Sequence, residues 1–585
     1  MNLLEADAGR RRRRSASCSP RRRRRGAFSS VALCCALAVA AARAENGAGP
    51  PQYGGTLNIG TVYVGLTALS FDPADWNWKV NHDAGMVYEQ LFAADLEQSV
   101  GQGGRLGFKS EGWLPPEAIR GELAESWEWV DPLTVVVHLR RGVRFPDKPG
   151  VMAARELDAH DVVWSFERSA ASPKMSAGYY DHIERVEARD AHTVVFHFRE
   201  FNAEWDLRYG YGYYSAILPR ELARVDSRDW RNLVGTGPFQ LTRFVQSSSS
   251  VYDRNPSYWD RELVDGKPYP IPFVDRVIYR TIKDPATQHT ALRTGKIDIL
   301  EVVPWLAVEY LKKTTPELQW SRYLGSVGHF LALRSDREPF DDVRVRRALN
   351  MAIDKREIVE RFYGGNAELF AYPMHPEFVG YYEPLDAMPP SVQELYRYDP
   401  GKAKRLLAEA GYPDGFRFTV QTAASDWDAN DLLPLIAGYL AKVGVEVTIE
   451  PLEYAAFLSA MTTKTHAAGY LMRSGHVNPT TSLNKSFSTG QTWNPSMWAD
   501  PDLDRRIEDA LRTRDETERQ RQIKALTAEI VDLAPYIWLP TPYNYIAWWP
   551  WVKNYGGELR AGAVRPAPIY ARIWIDLEMK KRLGF

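Results

Sequence analysis

Active sites are usually built from histidine, cysteine and paired carboxylates, and this sequence sets none of them at a catalytic spacing. There are 11 histidines. His192 and His197 are the pair that could hold a metal, but they stand five apart in an alternating segment. Strand geometry then points them to opposite faces, so no metal site is expected. No His-Glu-x-x-His, Gly-x-Ser-x-Gly or phosphate-cradling glycine loop occurs. The 3 cysteines, Cys18, Cys34 and Cys35, all precede Glu45. Beyond that point the chain has no disulfide, no thiolate nucleophile and no cysteine metal ligand. The carboxylates are scattered, with no spacing that pairs them. Binding without a cofactor, rather than catalysis, is the expectation.

The first 44 residues read as an address. Arginine runs at 10–14 and 21–25 precede an apolar stretch from Ala27 to Ala42, and Ala42-Arg43-Ala44 gives a small-x-small cleavage site. This is the layout of a cleaved secretory signal peptide, and its apolar stretch is too short to span a bilayer comfortably. Leu33 and Cys34 are the residues before Cys34 and Cys35, where a lipid-anchored cysteine needs a small neighbour, so no lipid anchor is expected. After residue 44 the chain has 62 basic and 72 acidic side chains, a net charge of −10. That balance disfavours nucleic acid. The expected location is the periplasm, with free diffusion as a monomer.

The elements that must position any site are mixed. Thr134–Arg140 and His192–Arg199 alternate with period two and read as strands of a sheet covered on one side. Val345, Ala348, Leu349, Ala352 and Ile353 make one apolar stripe along a helix over 341–363. Asp399, Pro400 and Gly411 supply a cap, a first turn and a left-handed stop for a helix over 399–411. Strands and helices interleave throughout, so the class is α/β or α+β, with about three domains expected for the length.

A series of short motifs then runs in order along the chain. It begins with Gly54-Gly55-Thr56-Leu57 and Phe71-Asp72-Pro73. Leu123-Ala124-Glu125-Ser126-Trp127 leads to Leu139-Arg140-Arg141-Gly142-Val143-Arg144-Phe145. Gly235-Thr236-Gly237-Pro238-Phe239 and Asn255-Pro256-Ser257-Tyr258-Trp259 follow. Pro339-Phe340-Asp341-Asp342-Val343-Arg344 and Ala410-Gly411-Tyr412-Pro413-Asp414-Gly415 complete the series. Nearly end to end, the chain resembles family 5 of the bacterial extracellular solute-binding proteins, the oligopeptide- and dipeptide-binding type. Taken as residues, Gly235 and Gly237 are expected to allow a tight turn. Arg344, Arg346 and Arg347 are expected on a solvated helix face or paired with Asp341 and Asp342.

The resemblance implies a two-lobed binding protein of the cluster C type, with a two-strand hinge and an extra inserted domain. Lobe I would be 53–85, 230–327 and 541–585, the inserted domain 86–229, and lobe II 328–540. The partner implied is an inner-membrane ABC permease that receives the captured solute. Presentation of ligand to a chemoreceptor, or a secreted enzyme on the same scaffold, are the alternatives. The implied cleft residues are Thr67 on one wall, Tyr454, Leu458 and Met461 on the other, and Trp493 and Asn494 from a nearby loop. Peptide binders of the family carry Arg-x-Gly-Trp-x-x-Asp, whose aspartate pairs with the peptide ammonium. Here the segment is Arg473-Ser474-Gly475-His476-Val477-Asn478-Pro479. His476 replaces the tryptophan, and the segment is about four residues short, so the aspartate is missing. Burying an unpaired ammonium is costly. A peptide held by a free amino end is therefore not expected unless another acid, such as Asp426 or Asp428, substitutes.

Overall fold

The computed structural model describes residues 50–61, 70–75, 78–109, 112–175, 178–325, 327–475 and 478–585. The leader, with its three cysteines, lies outside the described residues. Two large sheets organise the rest. One has eight strands, in the order Phe239–Val245, Ser249–Arg254, Arg276–Thr281, Thr56–Thr61, Ile299–Pro304, Thr541–Trp548 and Gln319–Leu324, with Ala367–Glu368 pairing onto Thr541–Trp548. The other has five, in the order Val445–Leu452, Phe416–Ala423, Gly469–Gly475, Val327–Leu333 and Tyr536–Trp538. The chain passes between the sheets twice, from strand 319–324 into 327–333 and from 536–538 into 541–548. A four-stranded antiparallel sheet, 124–131, 134–139, 193–198 and 183–190, stands apart from both.

The five-stranded sheet is buried on both faces, and its sequence shows why. In Val327–Leu333, Phe330 and Ala332 enter one apolar core while Leu331 and Leu333 enter another. Tyr470 and Met472 follow the first pair, and Leu471 follows the second. Period-two alternation with apolar residues on both sides is the pattern of a sheet sandwiched by helices. A third core joins the eight-stranded sheet to the four-stranded one. The molecule is therefore a mixed α/β protein with two lobes.

The one-sided cover of the four-stranded sheet holds: Val135, Val137, Val194 and Phe196 enter the core, while on the other face exposed Glu128 and Glu187 flank the buried in-register pair Val136 and Val195. Several sequence expectations are corrected here. The helix over 341–363 is broken. Val343–Met351 is capped by Asp342, and Asp354 then caps a new start by accepting a bond from the Glu357 N–H at 2.9 Å. A second capping aspartate inside the stripe was the signal. Helix Pro400–Glu409 begins at Asp399 as expected, and Gly411 has φ +95°. Gly235 and Gly237 serve close approach, not turning: a Cβ on either would lie 2.5 Å from the Val87 carbonyl oxygen. Arg344 pairs with Asp342 and Arg347 with Asp532, each at 2.6 Å. Arg346, however, is buried and donates to the carbonyls of Phe340, Asp341 and Leu533. Burial pulls its pKa down to about 10.

Candidate ligand-binding site

Strand Gly469–Gly475 runs parallel to Phe416–Ala423, and both end on the same edge of the sheet. Ligands in α/β folds collect at the carboxyl ends of parallel strands. Alternation along 469–475 sends Arg473 to the same face as Leu471, opposite His329 of the neighbouring strand. At that edge the Arg473 Nε lies 2.9 Å from an Asp426 oxygen. Asp426 is also the N-cap of helix Trp427–Ala441 and accepts from the Ala429 N–H at 3.2 Å. One carboxylate thus fixes both a helix start and a guanidinium. A carboxylate at a helix N-terminus is a favourable placement.

Beneath this pair lies a second polar pair. Asp428, in the first turn of the same helix, has one oxygen 3.6 Å from the His329 Nε2. That separation exceeds a hydrogen bond. Both side chains are buried, and no hydrogen bond to either His329 ring nitrogen is found among the described residues. Burial raises the Asp428 carboxyl to about 6, against the pull of Arg473. Burial, reinforced by Arg473, holds His329 well below the ordinary imidazole range. The environment therefore disfavours charge on both partners. The sequence reading missed His329; its signal was a histidine on the apolar alternation of Val327–Leu333.

The remaining expected site residues divide. Tyr454 opens helix Tyr454–Thr462, is half exposed, and lies within electrostatic range of Arg473 and Asp426. Leu458, one turn on, is half-buried. Met461 continues the stripe into the core and has no exposed surface, so it does not share the site surface. Gly475 ends its strand, and its carbonyl accepts from the Lys485 Nζ at 2.6 Å. Asn478 caps helix Pro479–Phe487, its side-chain oxygen taking the Thr480 N–H at 3.1 Å. Trp493 packs half-buried against the core beside that helix. Asn494 is buried, bonded to the carbonyls of Ser488 and Trp498 and to the Ser496 hydroxyl, so it braces its loop. Thr67, His476 and Val477 lie outside the described residues.

Trp548, Trp549 and Trp551 are buried in the core of the eight-stranded sheet. Trp549 stacks on Trp551 at 4.4 Å, and their indole N–H groups bond the Leu292 carbonyl and Asp298. Among the described residues, no group of three or more His, Cys, Asp or Glu is placed to hold a metal ion.

A family model described as bacterial extracellular solute-binding proteins, family 5 middle, matches residues 118–495. The chain belongs to that family. This solute-binding protein is 28% identical to heme-binding protein A of Haemophilus influenzae, over 75% of this chain and 81% of that one. It is also 28% identical to the dipeptide-binding protein of Escherichia coli, over 72% and 80%. Among solved structures it resembles the periplasmic binding protein DppA of Helicobacter pylori in complex with the peptide STSA. The TM-score is 0.72 and the identity 26%, covering 90% of this chain and 99% of that one. Solute-binding proteins of this family are periplasmic receptors of ABC transporters, so the chain is a binding protein and not an enzyme.

Proposed function

We propose that this receptor captures a small organic solute through an acyl or carboxylate oxygen, and not through a free ammonium. The observation that carries the reading is the state of the charges at the sheet edge. The family aspartate is missing from the 473–479 segment. Asp426 already holds Arg473, and Asp428 is buried, with its carboxyl raised to about 6. Neither acid is free to pair a ligand ammonium. Arg473 is engaged through Nε, and its side chain is 42% exposed. Its terminal nitrogens form a planar fork suited to a carboxylate or amide oxygen. Blocked peptides, acids, amides and sugar conjugates are the fitting classes.

The proposed contact set is Tyr454, Leu458, Arg473, Gly475 and Asn478, with Thr67, His476, Val477 and Trp493. Met461 and Asn494 are left to the core. Lobe I is assigned to 53–85, 230–327 and 541–585, the inserted domain to 86–229, and lobe II to 328–540. Residues 1–44 are taken as the cleaved export signal, and the monomer as the working form. Ligand binds the closed arrangement of the lobes better than the open one and so shifts that equilibrium toward closure.

A thermal-shift panel tests the chemistry. A ligand at 100 times its Kd adds about 2.7 kcal/mol of stability. Free di- and tripeptides are expected to give no shift, while some carboxylate or acyl solutes do. A clear shift with several unrelated tripeptides overturns the reading.

A further inference from the structure

The four-stranded sheet does more than extend one core. The segment after its strand Thr193–Phe198 reaches the helices beside the candidate site. Glu204 is buried, and one of its oxygens accepts from the Thr481 N–H at 2.7 Å while the other takes the Thr481 hydroxyl and lies 3.2 Å from the Arg208 guanidinium. Thr481 is in the first turn of helix Pro479–Phe487, whose N-cap is Asn478. The carboxylate therefore sits on the positive end of the helix that borders the site.

Further contacts join the same two regions. The Ala203 N–H bonds the Leu511 carbonyl at 2.7 Å. Arg512, in the last turn of helix Pro501–Arg512, pairs with Glu200 at 2.7 Å. Arg514 lies over the rings of Trp129 and Phe201, at 4.7 and 4.1 Å, and bonds the Pro132 carbonyl. These contacts are largely polar; Trp113, just before the four-stranded sheet, adds one apolar contact across the junction, its ring 5.3 Å from that of Phe378, and the buried residues of the two cores are otherwise distinct. Fused apolar cores would not part; a polar junction can open and be rehydrated.

We propose that this junction is a latch for lobe closure, with Glu204 as the positioning residue that fixes the first turn of helix 479–487 and hence Asn478 in the closed cleft. The latch rests on the two-lobed capture reading above. It adds that closure is held by the four-stranded sheet as well as by the two cleft walls.

Cysteine is absent after residue 44, so the processed chain can be spin-labelled cleanly. Ala153→Cys and Ala525→Cys place labels at exposed positions on the two sides. Double electron–electron resonance then reads the closed and open populations without ligand. Glu204→Ala is expected to lower the closed-to-open ratio about tenfold, the scale of losing a hydrogen bond to a charged group. Glu204→Gln should restore part of it. Circular dichroism checks the fold. Should Glu204→Ala not fold, the surface pair Arg512→Ala with Arg514→Ala makes the same test. Two populations whose ratio is unchanged by every variant overturn the latch alone. One population, unmoved by any variant, also overturns the latch, while the capture reading stands or falls separately on the thermal-shift panel.

Discussion

Asp428 offers the most quantitative test of the site. Burial raises its carboxyl from 3.8 to about 6. Below about pH 4 it is protonated in both folded and unfolded chains, so it contributes nothing to pH dependence. Between roughly pH 4 and pH 6 the folded chain keeps a proton that the unfolded chain has lost, and stability falls as pH rises. Above the folded value the loss is complete. A shift of roughly two pKa units corresponds to about 3 kcal/mol. Asparagine has the same shape and cannot ionise. Asp428→Asn should therefore gain about 3 kcal/mol over the parent at pH 8 relative to its effect at pH 4. Burial holds His329 low in both folded proteins, so its titration is common to the two and drops out of the comparison. Urea unfolding of parent and variant at pH 4, 6 and 8 measures the difference directly. A stability gap that does not change with pH would refute the burial argument for Asp428, and with it the claim that this acid is unavailable to ligand.

Three further outcomes follow from particular contacts. Gly237→Ala places a Cβ 2.5 Å from the Val87 carbonyl oxygen, and the backbone clash should cost roughly 1–3 kcal/mol in urea unfolding; an unchanged midpoint contradicts it. Arg565 and Glu122 form a buried pair with one N–O contact at 2.6 Å. Arg565→Met should cost about 3–5 kcal/mol by leaving the carboxylate unpaired, with Glu122→Gln recovering much of it. No recovery in the double variant would show that packing, not charge, is lost. Arg473→Ala should weaken the ligand at least about tenfold by calorimetry while changing the unliganded melting point little, since the exposed part of an ion pair adds little stability. Equal loss of folding would make the residue structural.

Local chemistry explains which parts of the fold were legible. Asp399, Pro400 and Gly411 announce a helix because capping, a fixed φ and a left-handed stop each act within one turn. The break at Asp354 was equally local but was masked by the apolar stripe running through it. Arg346 was misread because its partners are main-chain carbonyls, including that of the distant Leu533, and no side-chain pattern records a carbonyl. Gly237 was misread for a similar reason: the surface it must approach is the backbone at Val87. At the site, Arg473 and Gly475 could be picked out by resemblance to a family segment. Their setting could not. His329, Asp426 and Asp428 meet Arg473 only through the register of two strands and the start of one helix. The Met461 and Asn494 expectations followed a helical stripe and a loop position, and neither says where a surface gives way to core.

Under the proposed function the captured solute makes no free-ammonium contact. Native mass spectrometry of protein purified without refolding tests it most directly. The expected result is a population carrying one non-covalent small molecule, released chemically unchanged on unfolding, with a carboxylate or acyl group and no unblocked peptide amino end. Recovery of ordinary free-amine peptides, or of a chemically altered product, would contradict it.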